Sequence, residues 1–407
     1  MPEKWREILT REKVFGVACI VIGLVIIAVA ALLLEGGEVA TFFDEKIGTL
    51  FAPPSQATLY VLGSLCFFLG GWQLYRGFRS IGVLLGAAGF LAVASFLVAL
   101  TSGKSLNLPG LLQTTLTAAT PLTLGALSGV FCERAGVVNI AIEGMMLFGA
   151  FAAIAATSLS GSHWIGMLAA VLTGGLIAVL HAVLSVTYKV DQIISGTVIN
   201  ILASGVTRYL KLRLLLPAGL NSPGPIANTR IPVLADLPIV GKFFENSPTV
   251  FIMLVLVAVV TFILFYTPWG LRTRSVGEHP RAADTVGVDV TRMRYINVII
   301  GGLIAGIGGA YFSLGLGQFE DNMTHGQGFI ALAAMIFGRW TPVGSFLAAL
   351  LFGFADAVQG KMQSVLRVAL PPEVLQMAPY ILTMIVLAGV IGRATPPAAD
   401  GKPYEKQ

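Results

Sequence analysis

Long apolar runs alternate with short polar interruptions along almost the whole chain. The first run covers residues 14–34 and contains no charged residue. About 20 apolar residues cross a bilayer core, so this run is long enough to span. Ala28-Val29-Ala30 resembles a signal-peptide cleavage site. The apolar run continues past it, however, and the leading segment mixes Glu3, Glu7 and Glu12 with its basic residues, so the reading is an uncleaved anchor. Runs at 57–75 and 81–100 follow. Glu35, Glu38, Asp44 and Glu45 make the stretch 35–56 acidic, and Arg76 and Arg79 mark the next turn. Basic loops resist translocation, which places the N-terminus and that turn inside and the acidic stretch outside.

From Pro109 the pattern gains polar and glycine punctuation. Gln113, Thr117, Thr120 and Ser128 share one helical face by the 3.6-residue period, and Pro121 bends that helix. Then comes Glu133-Arg134-Ala135-Gly136-Val137-Val138-Asn139-Ile140-Ala141-Ile142-Glu143-Gly144-Met145-Met146. Its ionisable ends flank an apolar stretch too short to span. A broken or partly re-entrant helix is the economical solution, because irregular backbone survives at depth only beside protein or a water-filled cavity.

Runs at 147–159, 164–186 and 192–210 cross next, the last carrying Asn200 mid-span. Arg208, Lys211 and Arg213 at its outer end run against the positive-inside pattern. Residues 216–248 are rich in proline and hold no apolar span, so they form an external loop. After a run at 249–266 and a polar segment, a helix over 292–317 repeats Gly301, Ala305, Gly309, Ser313 and Gly317 at every fourth position. Small residues at that spacing let helix backbones approach closely, giving a packing seam inside one subunit or between two. Residues 327–337 are too short to cross unaided, and runs at 343–359 and 378–392 complete the set. The pattern predicts an all-α polytopic membrane protein of about 10–12 transmembrane or re-entrant helices, with both termini cytoplasmic. Residues 1–105 form an added N-terminal module of about three spans, 106–393 a transmembrane core, and 394–407 a cytoplasmic tail.

The polar segment 268–294 organises the rest. It sets Arg272, Arg274, Arg281, Arg292 and Arg294 against Glu278, Asp284 and Asp289, which fixes it on the cytoplasmic side. Pro280 suits the first helical position and Gly287 the left-handed stop, so Arg281-Ala282-Ala283-Asp284-Thr285-Val286 makes a helix of about two turns. Asp289 can cap the helix that follows. A helix so short is marginal alone in water; either the segment is a solvated loop or a partner protein holds it.

Composition narrows the class. The 407 residues are 56% hydrophobic and 12% charged, about half the charge of a soluble domain. The formal charge of +5 therefore reflects membrane topology, and no basic aromatic face points to nucleic acid. Cys19, Cys66 and Cys132 have neither metal nor disulfide spacing, and His163, His181, His279 and His325 form no metal motif. No metal site and no catalytic constellation is expected. Ser102-Gly103-Lys104-Ser105 ends like a phosphate loop, but Val98 stands where the first glycine is required. ATP-driven transport would then need the ATPase on another chain. Asn139 and Glu143 are the polar exceptions inside the membrane. Glu143 either lines a path for polar solute or pairs with Arg134 to hold the broken helix. Asn200 reads first as an interhelical hydrogen bond and second as a solute ligand.

Three stretches together carry a resemblance: the Glu133–Met146 motif, Val276-Gly277-Glu278-His279-Pro280-Arg281-Ala282-Ala283-Asp284, and Ile336-Phe337-Gly338-Arg339-Trp340. They resemble the permease subunits of bacterial nucleoside and simple-sugar ABC importers, in the wider group of ribose and branched-chain amino acid permeases. The resemblance covers about 109–392 and is nearest to the second permease of nucleoside systems. His279 departs from it where Asn is expected, and the first three spans have no counterpart. The resemblance implies a non-enzymatic permease core in the bacterial plasma (inner) membrane. Its implied partners are an ABC ATPase holding ATP and magnesium, a second homologous permease in a heterodimer, an extracytoplasmic substrate-binding lipoprotein and membrane lipid. Gly277, Glu278, Pro280, Arg281, Ala282, Ala283, Asp284 and Gly287 then form the coupling element, and Gln113, Thr117, Asn139, Glu143 and Asn200 the translocation path. The competing expectation is a secondary carrier that works alone.

Overall fold

The computed structural model describes residues 11–77, 81–238, 240–364, 377 and 395–406. Among these, nine helices are long and apolar enough to cross a membrane, and two shorter apolar helices accompany them. The crossing expected at 378–392 lies outside the described residues. The chain divides into two compact units, one ending its first stretch at Leu111 and the other starting at Leu112, slightly later than the expected boundary at 105.

The first unit holds α1 (Arg11–Leu32), α2 (Ser55–Tyr75) and α3 (Ile81–Leu100). Helices α1 and α2 meet backbone to backbone: a Cβ on Gly70 would lie 2.6 Å from the Gly16 carbonyl oxygen, and one on Gly23 2.7 Å from that of Gly63. In lipid this closeness replaces the hydrophobic drive available in water. The acidic external stretch is not a plain loop. Strands β1 (Thr41–Asp44) and β2 (Gly48–Phe51) pair antiparallel, and β3 (Ser105–Asn107) joins β1 in parallel. Phe42 stacks on Phe51 at 4.7 Å. The purely helical expectation missed this sheet because its strands are too short to show alternation. Ser102, from the stretch resembling a phosphate loop, donates to the Glu38 carboxylate at 2.6 Å.

In the second unit α4 (Leu108–Arg134) runs through Pro121 and leads into the irregular stretch before α5 (Ile142–Ser160). Helix α6 (His163–Ala182) ends in a π-turn, and so does α7 (Gln192–Leu210). The proline-rich external segment contains one two-residue strand pair, β4 (Thr229–Arg230) with β5 (Glu245–Asn246). Helix α8 (Pro248–Tyr266) returns the chain to the polar segment. That segment is more helical than expected: α9 (Pro268–Glu278) precedes the short α10 (Pro280–Thr285). Helix α11 (Val290–Leu316) follows, with the Asp289 carboxylate accepting from the Arg292 amide at 2.9 Å. The short α12 (Gln327–Phe337) and α13 (Pro342–Ser364) close the described helices.

Helix α11 is the hub, and the seam on it lies within this chain. A Cβ on Gly301 would meet Cys132 Sγ of α4 at 2.6 Å, and one on Gly309 would collide with the Met146 carbonyl of α5. Ala305 and Ser313 are fully buried on the same stripe. Gly317 is a correction: it is the left-handed cap of α11, at φ 75°, and abuts Gly224 and Pro225 of the external loop. The basic residues at the outer end of α7 also find a reason. Asp321 sits between Arg208 at 3.6 Å and Lys211 at 3.2 Å, so a local acid offsets the charge that opposed the predicted orientation.

Candidate functional site

The irregular stretch between α4 and α5 is built at depth, and side chains supply what its backbone lacks. Gly136 turns the chain at φ +82°, a region that glycine enters freely. The Val138 amide donates to Gln192 Oε1 at 2.7 Å, and the Val138 carbonyl faces His181 Nε2 at 3.0 Å. His181 Nδ1 lies 3.1 Å from Ser195 Oγ. Asn200 spans the break, taking the Gly144 amide at 2.8 Å and donating to the Ile140 carbonyl at 2.9 Å. Asn200 is thus the interhelical bond that its mid-span position led one to expect. His181 and Gln192 escaped the sequence reading. Their signal was faint: each is a polar residue on an apolar helix whose partner is a main-chain atom elsewhere.

Glu143 has partners that neither alternative named. Its carboxylate accepts from Thr324 Oγ1 at 2.5 Å, from the Gly326 amide at 2.8 Å and from the Gly328 amide at 2.6 Å. Those amides belong to the start of α12, whose own cap position is Gly326 and offers no side chain. A carboxylate on α5 therefore caps a half-helix from a distant part of the chain, where the exposed N–H groups and the helix dipole both favour negative charge. Gly328 allows the approach, since a Cβ there would lie 2.6 Å from the Glu143 amide nitrogen.

The expected Glu143–Arg134 pair does not form. Arg134 instead donates from Nε to the Trp340 carbonyl at 2.8 Å and from Nη2 to the Arg339 carbonyl at 3.2 Å. Trp340 Nε1 donates to Glu133 Oε2 at 2.5 Å. Consequently Glu133 and Arg134 anchor the C-terminal end of α12 while Glu143 caps its start. The motifs around Glu133 and around Trp340 are two halves of one device.

Asn139 is fully buried, and its Nδ2 contacts Cys132 Sγ at 3.3 Å and Met145 Sδ at 3.7 Å, so here it packs against the break. Gln113 donates to the Glu245 carbonyl at 2.7 Å, and Thr117 lies 3.2 Å from Asn246 Oδ1. Both therefore fasten the outer half of α4 to the external loop, away from Glu143.

The third motif closes onto the same corner. Gly277, at the end of α9, presses on the Arg134 carbonyl so tightly that a Cβ would collide with it. Pro280 opens α10, and Gly287 follows it with φ +85°. Ala283 is 3% exposed and joins Val276, Val290 and Met293 in a small apolar cluster. Arg281, Ala282 and Thr285 face solvent, and Val286 is 79% exposed. Glu278 is exposed beside them, while Asp284 is half-buried and turned inward. The five arginines divide accordingly. Arg274 lies over the Phe265 ring at 5.0 Å and Arg294 is buried, leaving Arg272, Arg281 and Arg292 on the surface.

Comparison with known proteins adds the following. A family described as branched-chain amino acid transport system / permease component matches residues 111–388. The guanosine ABC transporter permease protein NupQ of Bacillus subtilis is 44% identical over 304 residues, 72% of this chain and 95% of its own. The nucleoside ABC transporter permease protein NupC of Lactococcus lactis is 39% identical, over 71% of this chain and 94% of its own. A putative glucose ABC transporter permease protein, TsgC13 of Haloferax volcanii, is 36% identical, over 70% and 92%. No solved structure matches.

Proposed function

The chain belongs to the family of branched-chain amino acid transport system permease components, and from that membership we propose a multi-pass permease subunit of an ATP-driven ABC importer in the bacterial inner membrane. Its solutes are nucleosides or related ribose-containing and simple-sugar compounds, a reading supported by the names of the relatives. The membership lends no support to a carrier working alone.

The ATPase, with its ATP and magnesium, belongs to a partner chain. The observation that carries this reading is the shape of α10. It is held from beneath by buried Ala283 and presents Arg281, Ala282, Thr285 and Val286 outward. A six-residue helix has no stability of its own, so its fixed, exposed face makes sense as a surface for a second protein. Closure of the ATPase would displace α10, and Gly277 would pass that displacement to the Arg134 corner that anchors the short α12. A rigid-body change of this kind is a standard way to alternate access. A second homologous permease and an extracytoplasmic binding lipoprotein complete the assembly on this reading.

The test is charge reversal on the exposed face. Arg281→Glu is expected to lower solute-stimulated ATP hydrolysis at least tenfold in the reconstituted importer, with the amount of permease in the membrane unchanged. Stimulation at the wild-type level would remove α10 from the interface. Uptake of guanosine against glucose in the same vesicles assigns the solute class.

A further inference from the structure

A polar tail after the last span is ordinarily a solvated appendage, yet here residues 395–406 are threaded into the corner where α4, α9 and α11 meet. The Ala399 amide donates to the Gly277 carbonyl at 2.8 Å, and the Ala398 amide lies 3.2 Å from Glu278 Oε2. Arg294, 1% exposed, donates from Nη1 to the Lys402 carbonyl at 2.8 Å. Tyr404 packs against the cluster that buries Ala283 and also meets the Asp284 carboxylate, while Lys189 pairs with Glu405 at 2.8 Å. Gly136 makes room: a Cβ there would stand 3.1 Å from the Ala399 carbonyl oxygen.

The direction of these contacts decides between two roles. A tail that blocked the ATPase would cover Arg281, Ala282, Thr285 and Val286, and it leaves all four exposed. It bonds to the Gly277 carbonyl and the Glu278 carboxylate at the end of α9 and meets the Asp284 carboxylate of α10, so it grips both sides of the α9–α10 joint. We propose that residues 395–406 are a positioning strut of the coupling machinery, tying the α9–α10 joint to Glu133 and Arg294 so that movement of α10 reaches the anchor of α12. This rests on the reading of α10 as the ATPase-facing helix.

The strut carries a built-in readout. Burial pushes the Asp400 carboxyl up to about 6, against hydrogen bonding with Glu133, the Gly401 amide and the nearby Arg294 charge. The groups facing it are Glu133 and Cys132 from α4 and Arg294 from α11. An acid whose docked pKa lies above its free value favours docking at low pH. That contribution is complete below the free value near 4 and is lost as pH rises through about 6.

The experiment uses the complete importer in vesicles, comparing the full chain with truncation after Pro396, Tyr404→Ala and Asp400→Asn. Truncation is expected to leave the ATPase bound while cutting solute transported per ATP at least fivefold. Tyr404→Ala, which keeps the chain length, should cut it two- to threefold and answers the question if the truncated chain fails to assemble. Asp400→Asn should remove the part of the wild-type coupling profile that declines as pH rises from about 4 through about 6. Wild-type coupling in the truncated chain or in Tyr404→Ala, or an unaltered profile in Asp400→Asn, overturns the strut. Arg281→Glu in the same vesicles reports separately on α10: if it releases the ATPase while tail variants behave as wild type, only the strut fails.

Discussion

Replacing Glu143 with alanine is expected to abolish uptake and to loosen the short helix α12. Three donors converge on this carboxylate, two of them main-chain amides at the start of α12. Hydrogen bonds to a charged group contribute about 1.5–3 kcal/mol each, and no water replaces them cheaply where the half-helix begins inside the bundle. Even after relaxation the loss is on the order of 3 kcal/mol, roughly a hundredfold in the population of the seated helix. Glu143→Gln keeps one acceptor oxygen but turns an amide N–H₂ towards donors, so it should retain only part of the activity. Uptake rate and thermal unfolding of the purified permease check both variants. If Glu143→Ala melts like the wild type and still transports, the carboxylate is not the cap that holds α12. A variant that melts normally but no longer transports would place Glu143 on the solute path instead.

How much of this was legible from residues alone follows the distance between partners. The spans could be read because each is a local property: 20 or so apolar positions announce themselves whatever lies elsewhere. The break after Arg134 was legible for the same reason, as ionisable residues enclosing too few apolar ones. Pro280, Gly287 and Asp289 act within a turn or two of their own positions, so local rules located them. Glu143 was singled out as unusual, but the one partner considered for it, Arg134, is not the one it has. The nearest cation in sequence is Arg134, whereas the groups it serves lie at 324–328, where α12 begins. Arg134 in turn serves carbonyls at 339 and 340, and no periodicity encodes such pairings. The tail was read as polar and cytoplasmic, and its docking stayed invisible, since a short run with Lys402, Glu405 and Lys406 has the composition of a solvated end.

Gly306→Val tests the hub, and its expected effect is loss of folded protein. The every-fourth pattern read from sequence picked Gly301, Ala305 and Gly309, one stripe of α11, and passed over Gly302 and Gly306 on the neighbouring stripe. Three helices converge on Gly306: a Cβ there would collide with the Ala170 carbonyl of α6, and a Cβ on Gly149 of α5 would stand 2.9 Å from Gly306 Cα. A Cβ on Gly174 of α6 would stand 2.8 Å from the same atom. Overpacking one contact costs about 1–3 kcal/mol. Here backbone meets backbone on two sides, so no side chain can swing aside and the helices must separate. Because packing is what holds helices together in lipid, separation removes the cohesion between α5, α6 and α11 at once. Gly315→Val is the control, being on the same helix with no heavy atom within 4 Å of the added carbon. Detergent extraction followed by size-exclusion chromatography should give a monodisperse peak for Gly315→Val and little or none for Gly306→Val. Equal recovery of the two would mean that the helices have freedom to part at this crossing, and α11 could not then transmit a rigid displacement from α10 into the bundle.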